Sequence, residues 1–347
     1  LEFLSDYGLF LAKTITLVVA ILVVVGFVIA SAQRGGGREK GRIVVTRLNE
    51  RYEDMQHILR EAVLDEKDLK ETEKKKKKEE KAEKKRKKSN SGTEERKPRL
   101  YVLDFDGDIK ASATEDLREA ITAVLSLAES KDEVVVRLES PGGMVHSYGL
   151  AASQLARITQ HQIPLTVCVD MVAASGGYMM ACVANKIIAA PFAVIGSIGV
   201  VAQLPNFHKV LKKHDVDYEI FTAGEYKRTV TMLGENTDKG RRKFIEDLED
   251  THVLFKDFIR EHRPAVDVET VATGEIWFGK RALERNLVDA IATSDEYLTS
   301  RLGQADILTV AYEHKKSIQD RLGMAAARAF EASATRLLGY LTQRYRV

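Results

Sequence analysis

EVVVRLESPGGMVHSYGLAASQLARITQHQIPLTVCVD, residues 133–170, decides the fold class. Its opening EVVVRLES is rich in β-branched side chains, the composition of a strand buried on both faces of a parallel sheet. SYGLAASQLARI carries the helical period, and PLTVCVD is a second apolar strand. Strand, helix and strand in that order form a crossover between parallel neighbours. The rhythm extends in both directions. RLYVLDF upstream reads as a strand, and Ser112 with Glu115 forms an S-x-x-E capping box ahead of the helical EDLREAITAVLSLA. Downstream, a helix starting near Ser175 leads into the strand KIIAA. Residues 238–263 form a long charged amphipathic helix, LVDAIAT is a short element, and DILTVAY is a late strand. The pattern predicts an open α/β domain with a largely parallel core sheet.

The rest of the 347-residue chain has a different texture, because its net charge of +2 is unevenly spread. TITLVVAILVVVGFVIASA, residues 14–32, contains no ionisable side chain. As a helix rising about 1.5 Å per residue it just spans a hydrocarbon core of ~30 Å. Ala30-Ser31-Ala32 has the form of a signal-peptidase site, but the apolar run is longer than a signal core and its leading flank carries Glu2 and Asp6. The segment reads as a retained anchor. Arg34, Arg38, Lys40 and Arg42 follow it, which by the positive-inside rule points the bulk of the chain to the cytoplasm.

Leu48, Tyr52, Met55, Leu59 and Ala62 form a heptad-like stripe, either a helix paired with another helix or one lying on its own domain. KKKKKEEKAEKKRKK, residues 74–88, has no apolar face; its interleaved Glu and lack of aromatics make it a solvated spacer rather than a nucleic-acid site. Four regions result: a membrane anchor over 1–33, a membrane-proximal helix and charged linker over 34–98, a catalytic domain over 99–312, and an amphipathic helical extension over 313–347. Cys168 and Cys182 sit in apolar surroundings and read as buried small hydrophobes rather than a disulfide; no zinc spacing is present.

Chemistry in open α/β sheets gathers at the carboxyl ends of strands. Two such ends here are glycine-rich, ESPGG and AASGG. Gly142 and Gly143 either make a turn or leave backbone N–H groups free to face an anion. Ser175 either caps its helix or serves as a nucleophile. A nucleophile needs a base, and of the eight histidines only His146 stands near a strand end. The G-x-S-x-G elbow is absent, since Ala173 and Ile195 take the first glycine position before Ser175 and Ser197. A lysine becomes a base when burial lowers its pKa from ~10.4. Lys227, in EIFTAGEYKRTVTMLG, stands just beyond a strand-like run and apart from the Lys/Glu runs, although a surface lysine fits the same pattern.

ESPGG, VAASGGYMMACVANKIIAAP, IGSIGVV and TAGEYKRT, in that order, closely resemble the signal peptide peptidase family of serine peptidases, and the anchor with a single catalytic domain resembles its SohB-type branch. The resemblance covers residues 101–293 and the anchor. It implies a crotonase/Clp-protease-like fold, with Ser175 as nucleophile, Lys227 as general base and Ser197 hydrogen-bonded to that lysine. Oxyanion donors are implied at Gly143, with Gly142 beside it, and at Gly176. Glu225 replaces the commoner lysine two residues before the base, and is expected to face solvent. No metal, nucleotide or other cofactor is implied. In relatives with one catalytic domain, the serine and lysine of a site come from adjacent subunits, so a homo-oligomer is expected. The resemblance favours the periplasmic face of a bacterial inner membrane, against the charge flanks.

The expected substrate is an apolar, unfolded peptide, such as a signal peptide remnant or a damaged membrane protein, bound extended along the strand edges of VVVRLESPGG and IGSIGVV. Met144, Tyr178, Val200 and Val201 are candidate pocket walls. Two rival readings remain. A crotonase-class acyl-CoA enzyme would use Gly142 and Gly143 but leave Ser175, Ser197 and Lys227 idle. A non-catalytic membrane scaffold would leave all of them idle.

Overall fold

The computed structural model describes residues 41–65, 67–69 and 96–314, with positions 11, 13–16, 74 and 78. The chain divides into two compact units, residues 1–42 with 313–347 and Ile43–Tyr312. Every candidate site residue lies in the second. The apolar segment 14–32 beyond Thr16, the charged run 74–88 apart from Lys74 and Lys78, and the tail 318–346 lie outside the described residues. Among the described residues no helix is long and apolar enough to cross a membrane.

The described chain enters through β1 (Arg42–Arg47) and α1 (Leu48–Val63), then alternates β2 (Arg99–Asp106), α2 (Thr114–Leu125), β3 (Glu133–Glu139), α3 (Val145–Gln160) and β4 (Leu165–Val169). Next come β5 (Val172–Ala174), α4 (Gly176–Ala181), β6 (Lys186–Ala189), β7 (Val194–Gly196), α5 (His208–Lys213) and the long α6 (Asp238–His262). The last elements are α7 (Val268–Val271), β8 (Ile276–Phe278), α8 (Gly279–Glu284), β9 (Ala290–Ile291), α9 (Ser294–Ser300) and β10 (Asp306–Glu313). The main sheet has the order β1-β10-β2-β3-β4-β6-β9, and every pairing from β10 to β9 is parallel. A second sheet, β5-β7-β8, pairs its first two strands parallel and its last two antiparallel.

Side-chain alternation explains the layers. Tyr101, Leu103 and Phe105 of β2, with Val134, Val136 and Leu138 of β3, face α2 and α3, where Leu117, Ile121, Leu155 and Ile158 meet them. The intervening Leu100, Val102 and Val135 face the other way, onto Leu48 and Leu298. Both faces of the central strands are therefore largely buried, which is why they read as apolar runs broken in β2 by Asp104 and in β3 by Arg137. Each fully buried Leu or Ile contributes about 1.5–3 kcal/mol. Cys168 and Cys182 are free thiols within this packing, and burial pushes the Cys168 thiol up to about 12.

Three local expectations need correction. Ser112 does not cap α2; its amide and hydroxyl both donate 2.8 Å bonds to the Asp108 carboxylate, and the helix starts two residues later at Thr114. Asp108 wins because its short side chain reaches back-to-back donors in its own turn, Lys110 N included. Those Ser112 bonds hold the Asp108 carboxyl below the ordinary carboxylate range. The run before Lys227 forms no strand; residues 215–237 contain no helix or strand. Finally, neither expected strand edge is one, since β3 lies between β2 and β4 and β7 between β5 and β8.

Candidate active site

Ser175 stands between β5 and α4 with φ +52° and ψ −117°. A positive φ brings Cβ too close to the backbone and costs about 1–2 kcal/mol in a residue other than glycine, so tertiary contacts must enforce it. They do. Ser175 N donates 2.8 Å to the Gly196 carbonyl, and the Ser175 carbonyl accepts from Met179 N at 3.0 Å. The serine side chain makes no cap bond to α4, which removes helix capping as its reason for being there. It is half-buried.

The ESPGG loop lies directly on this turn. Gly142 has φ +89°, and a Cβ built there would be 2.7 Å from Ala174 O, Gly176 N and Ser175 Cβ. A side chain at 142 would occupy the space of the Ser175 side chain. At Gly143 a Cβ would strike the Ile109 carbonyl at 2.1 Å, and the next amide, Met144 N, donates to that same carbonyl at 2.9 Å. The two glycines differ in their donors. Gly142 N donates to Ser140 Oγ at 3.1 Å, so the expected oxyanion role for its amide is corrected: a bond inside the loop has already taken it. Among the described residues, the amides of Gly143 and Gly176 have no acceptor. One such amide on the loop seated on a strained serine, with another following that serine in the chain, can serve a carbonyl oxygen that turns into an alkoxide.

Ser197 follows Gly196, whose carbonyl holds Ser175 N, and has φ +50°. The β5–β7 register pairs Ala174 with Gly196, so Ser175 and Ser197 are the next residues along two neighbouring strands. Ser197 N donates 2.6 Å to Glu275 O, which fixes the second serine from the β8 side. Lys227 is different. It lies in the exposed 215–237 segment, in a turn closed by Lys227 N and the Gly224 carbonyl at 3.2 Å. Among the described residues no hydrogen bond or ion pair joins its ammonium to either serine. Glu225 faces solvent, as expected, paired with Lys239, whose bond holds its carboxyl below the ordinary range.

Of the expected pocket walls, Met144 is 43% exposed beside Gly143 and Val201 is 80% exposed, while Val200 is half-buried. Tyr178 is corrected. It is wholly buried, with its phenol donating to the Leu287 carbonyl at 3.0 Å, and belongs to the core. His146 is exposed on the first turn of α3. Sequence reading missed Ser140 and Tyr148, which hold the glycine loop from beneath. Their signal was a serine two residues before the glycine pair and a tyrosine five residues after it, a pattern that ordinary core residues share.

Two family models cover most of the chain: Peptidase family S49 N-terminal over residues 2–155 and Peptidase family S49 over residues 157–307. "Probable protease SohB" of Haemophilus influenzae is 52% identical over 330 residues, covering 94% of this chain and 93% of the relative. "Probable protease SohB" of Buchnera aphidicola subsp. Schlechtendalia chinensis is 47% identical over 309 residues, covering 87% of this chain and 100% of the relative. A solved structure of 1510-N membrane-bound stomatin-specific protease with a substrate peptide covers 65% of this chain and 96% of its own, at 15% identity and a TM-score of 0.39. With the strained serine, the glycine loop seated on it and relatives this similar over nearly their whole length, the chain belongs to peptidase family S49 and is a SohB-type serine peptidase.

Proposed function

We propose that the chain is a membrane-anchored endopeptidase working through a Ser175–Lys227 dyad. The observation that carries this reading is the strained Ser175 turn, with the acceptor-free amides of Gly143 and Gly176 beside it. Ser175 Oγ attacks the peptide carbonyl while its proton passes to the neutral amine of Lys227. The carbonyl oxygen, now an alkoxide, takes the two amides as donors. Collapse breaks the C–N bond, and Lys227 returns the proton to the leaving amine. Water then attacks the acyl-serine ester with Lys227 again as base, releasing the carboxylic acid and restoring Ser175. Ser197 accepts or donates to the lysine and fixes its direction. The domain is read as crotonase/Clp-protease-like, supported by the parallel sheet and the small second sheet that bears both serines.

The exposed segment bearing Lys227 supports a shared site. Val201, Phe207, Phe221 and Tyr226 leave 46–87% of their surface in water in a single chain, a pattern of surfaces that copies of a protein cover. Lys227 of one subunit then serves Ser175 of its neighbour. The substrate is an apolar, unfolded peptide held extended beside Met144, Val200 and Val201, and the anchor at 14–32 keeps the enzyme at the bacterial inner membrane. The test is complementation. Ser175→Ala and Lys227→Ala are each expected to abolish hydrolysis, and mixed oligomers of the two to recover part of it, since some interfaces hold one intact pair. Silence in verified mixed oligomers refutes the shared site, and near wild-type turnover by Lys227→Ala refutes the dyad.

A further inference from the structure

Ser140 and Tyr148 are both fully buried, so each polar hydrogen they carry needs an acceptor inside the protein. The hydrogens can be assigned one by one. Tyr148 Oη donates to the Asp108 carbonyl at 2.7 Å. Its only hydrogen is thereby used, so across the 2.5 Å contact Ser140 Oγ is the donor and Tyr148 Oη the acceptor. Ser140 Oγ in turn accepts from Gly142 N at 3.1 Å. The result is a one-way relay, Gly142 to Ser140 to Tyr148 to Asp108, in which no donor is spare.

Its geometry spans both halves of the oxyanion site. The phenol end ties down the glycine loop, and the Ile109 carbonyl next to Asp108 receives Met144 N on the far side of Gly143. The ring end lies on the other half: a Cβ at Gly176 would be 2.4 Å from Tyr148 Cγ. The packing admits no slack, since a Cβ at Gly107 would be 2.5 Å from Ser140 Oγ and 2.6 Å from Tyr148 Oη. Burial raises the Tyr148 pKa above that of a free phenol, against the lowering effect of its Ser140 bond, which keeps the donor proton in place.

We propose that Tyr148, with Ser140, is the positioning residue of the oxyanion site, its phenol setting the Gly143 amide and its ring setting the Gly176 amide. The proposal rests on the reading of those two amides as oxyanion donors. A structural role alone would move stability; a positioning role moves affinity for the tetrahedral adduct selectively.

The experiment uses the full-length protein with Tyr148→Phe, which keeps the ring, and Ser140→Ala, which keeps the loop's size. Both are compared with wild type for peptide hydrolysis, thermal melting, and binding of a peptide aldehyde and its matching peptide alcohol. The aldehyde forms an oxyanion adduct with Ser175 and the alcohol cannot. A misplacement of about 1 Å costs about a hundredfold, so kcat is expected to fall roughly ten- to a hundredfold with KM near wild type. Aldehyde affinity should fall in parallel, and alcohol affinity should hold. Folded variants with wild-type kcat, or with equal losses for aldehyde and alcohol, overturn the positioning role. Fluorophosphonate labelling of the wild type separates the two levels: an unlabelled Ser175 overturns the active-site reading itself, whereas a labelled Ser175 with unaffected variants overturns only the relay.

Discussion

Gly142→Ala puts one methyl group where the site has no room, and the structure states where the strain goes. The new Cβ would sit 2.7 Å from three atoms, of which Ser175 Cβ and Gly176 N belong to the proposed nucleophile and to a proposed oxyanion donor. Comfortable contact begins near 3.4 Å, so the loop and the serine turn must part by about 0.7 Å. At φ +89° an alanine also carries a backbone penalty of about 1–2 kcal/mol. Overpacking adds about 1–3 kcal/mol, for a total of about 2–5 kcal/mol in stability. The kinetic effect is larger in proportion, because in the proposed mechanism the displaced atoms are those that meet the substrate carbonyl. Losing one oxyanion donor costs about a hundred- to a thousandfold, and a fall in kcat of about a hundredfold is expected here. Gly149→Ala is the control. Gly149 lies inside α3, no atom comes within 4 Å of its added Cβ, and helix propensity alone predicts a gain of about 0.5–1 kcal/mol with activity unchanged. Hydrolysis of a quenched apolar peptide and urea unfolding of both variants measure the contrast. A folded Gly142→Ala enzyme with wild-type kcat refutes the argument that this loop is seated on the proposed catalytic serine.

Two further outcomes follow from buried polar groups away from the site. Burial alone would raise the Asp132 pKa, but bonds from Arg96 (2.6 and 2.8 Å), Arg99 N (2.8 Å) and Glu129 N (2.9 Å) outweigh it and the net direction is down. A depressed folded pKa adds stability above the ordinary value of 3.8 and loses it as pH falls through the folded value, so urea midpoints of wild type and Asp132→Asn should differ steadily near neutrality and converge only in strong acid. A gap that stays constant through acid refutes this. Tyr178→Phe removes the bond to Leu287 O and should cost about 1–3 kcal/mol in stability while leaving cleavage preference intact. An altered preference would return Tyr178 to the substrate pocket.

The main sheet was legible because β2, β3 and β4 are largely buried on both faces, so Tyr101 to Phe105, Val134 to Leu138 and Leu165 to Val169 are apolar apart from Asp104, Arg137 and Thr166. The small sheet was not. Strands of three residues, as in β5, β7 and β8, are too short to show a period, and tertiary contacts specify them instead. Gly196 shows how. Its φ of +102° and the 2.7 Å that would separate a Cβ from Trp277 Cε3 mean that β8 presses on the one residue whose carbonyl holds Ser175. Nothing local to IGSIGVV announces a tryptophan eighty residues on. Ser112 failed for a related reason: the capping box was present as a pattern, but Asp108, four residues earlier, offered a stronger acceptor.

The site was legible where backbone shape carries it and illegible where hydrogens must be allotted. Ser175, Gly142 and Gly143 stand out because glycine and a lone hydroxyl are costly without a purpose. Which of the two loop amides remains free is another matter. It depends on Ser140 Oγ having its own hydrogen engaged by Tyr148, whose hydrogen is engaged by Asp108 in turn. Three residues from three different elements decide that Gly142 N is occupied and Gly143 N is not. Spacing in the sequence treats the two glycines alike, and the distinction arises only when β2, β3 and α3 meet. The same logic applies to Lys227. A base must come within a hydrogen bond of its serine, and in one chain this lysine stands on an exposed segment with apolar neighbours in water. In the proposed shared site, covering those apolar side chains and delivering the amine to a serine are met by one event, the packing of that segment against a second copy.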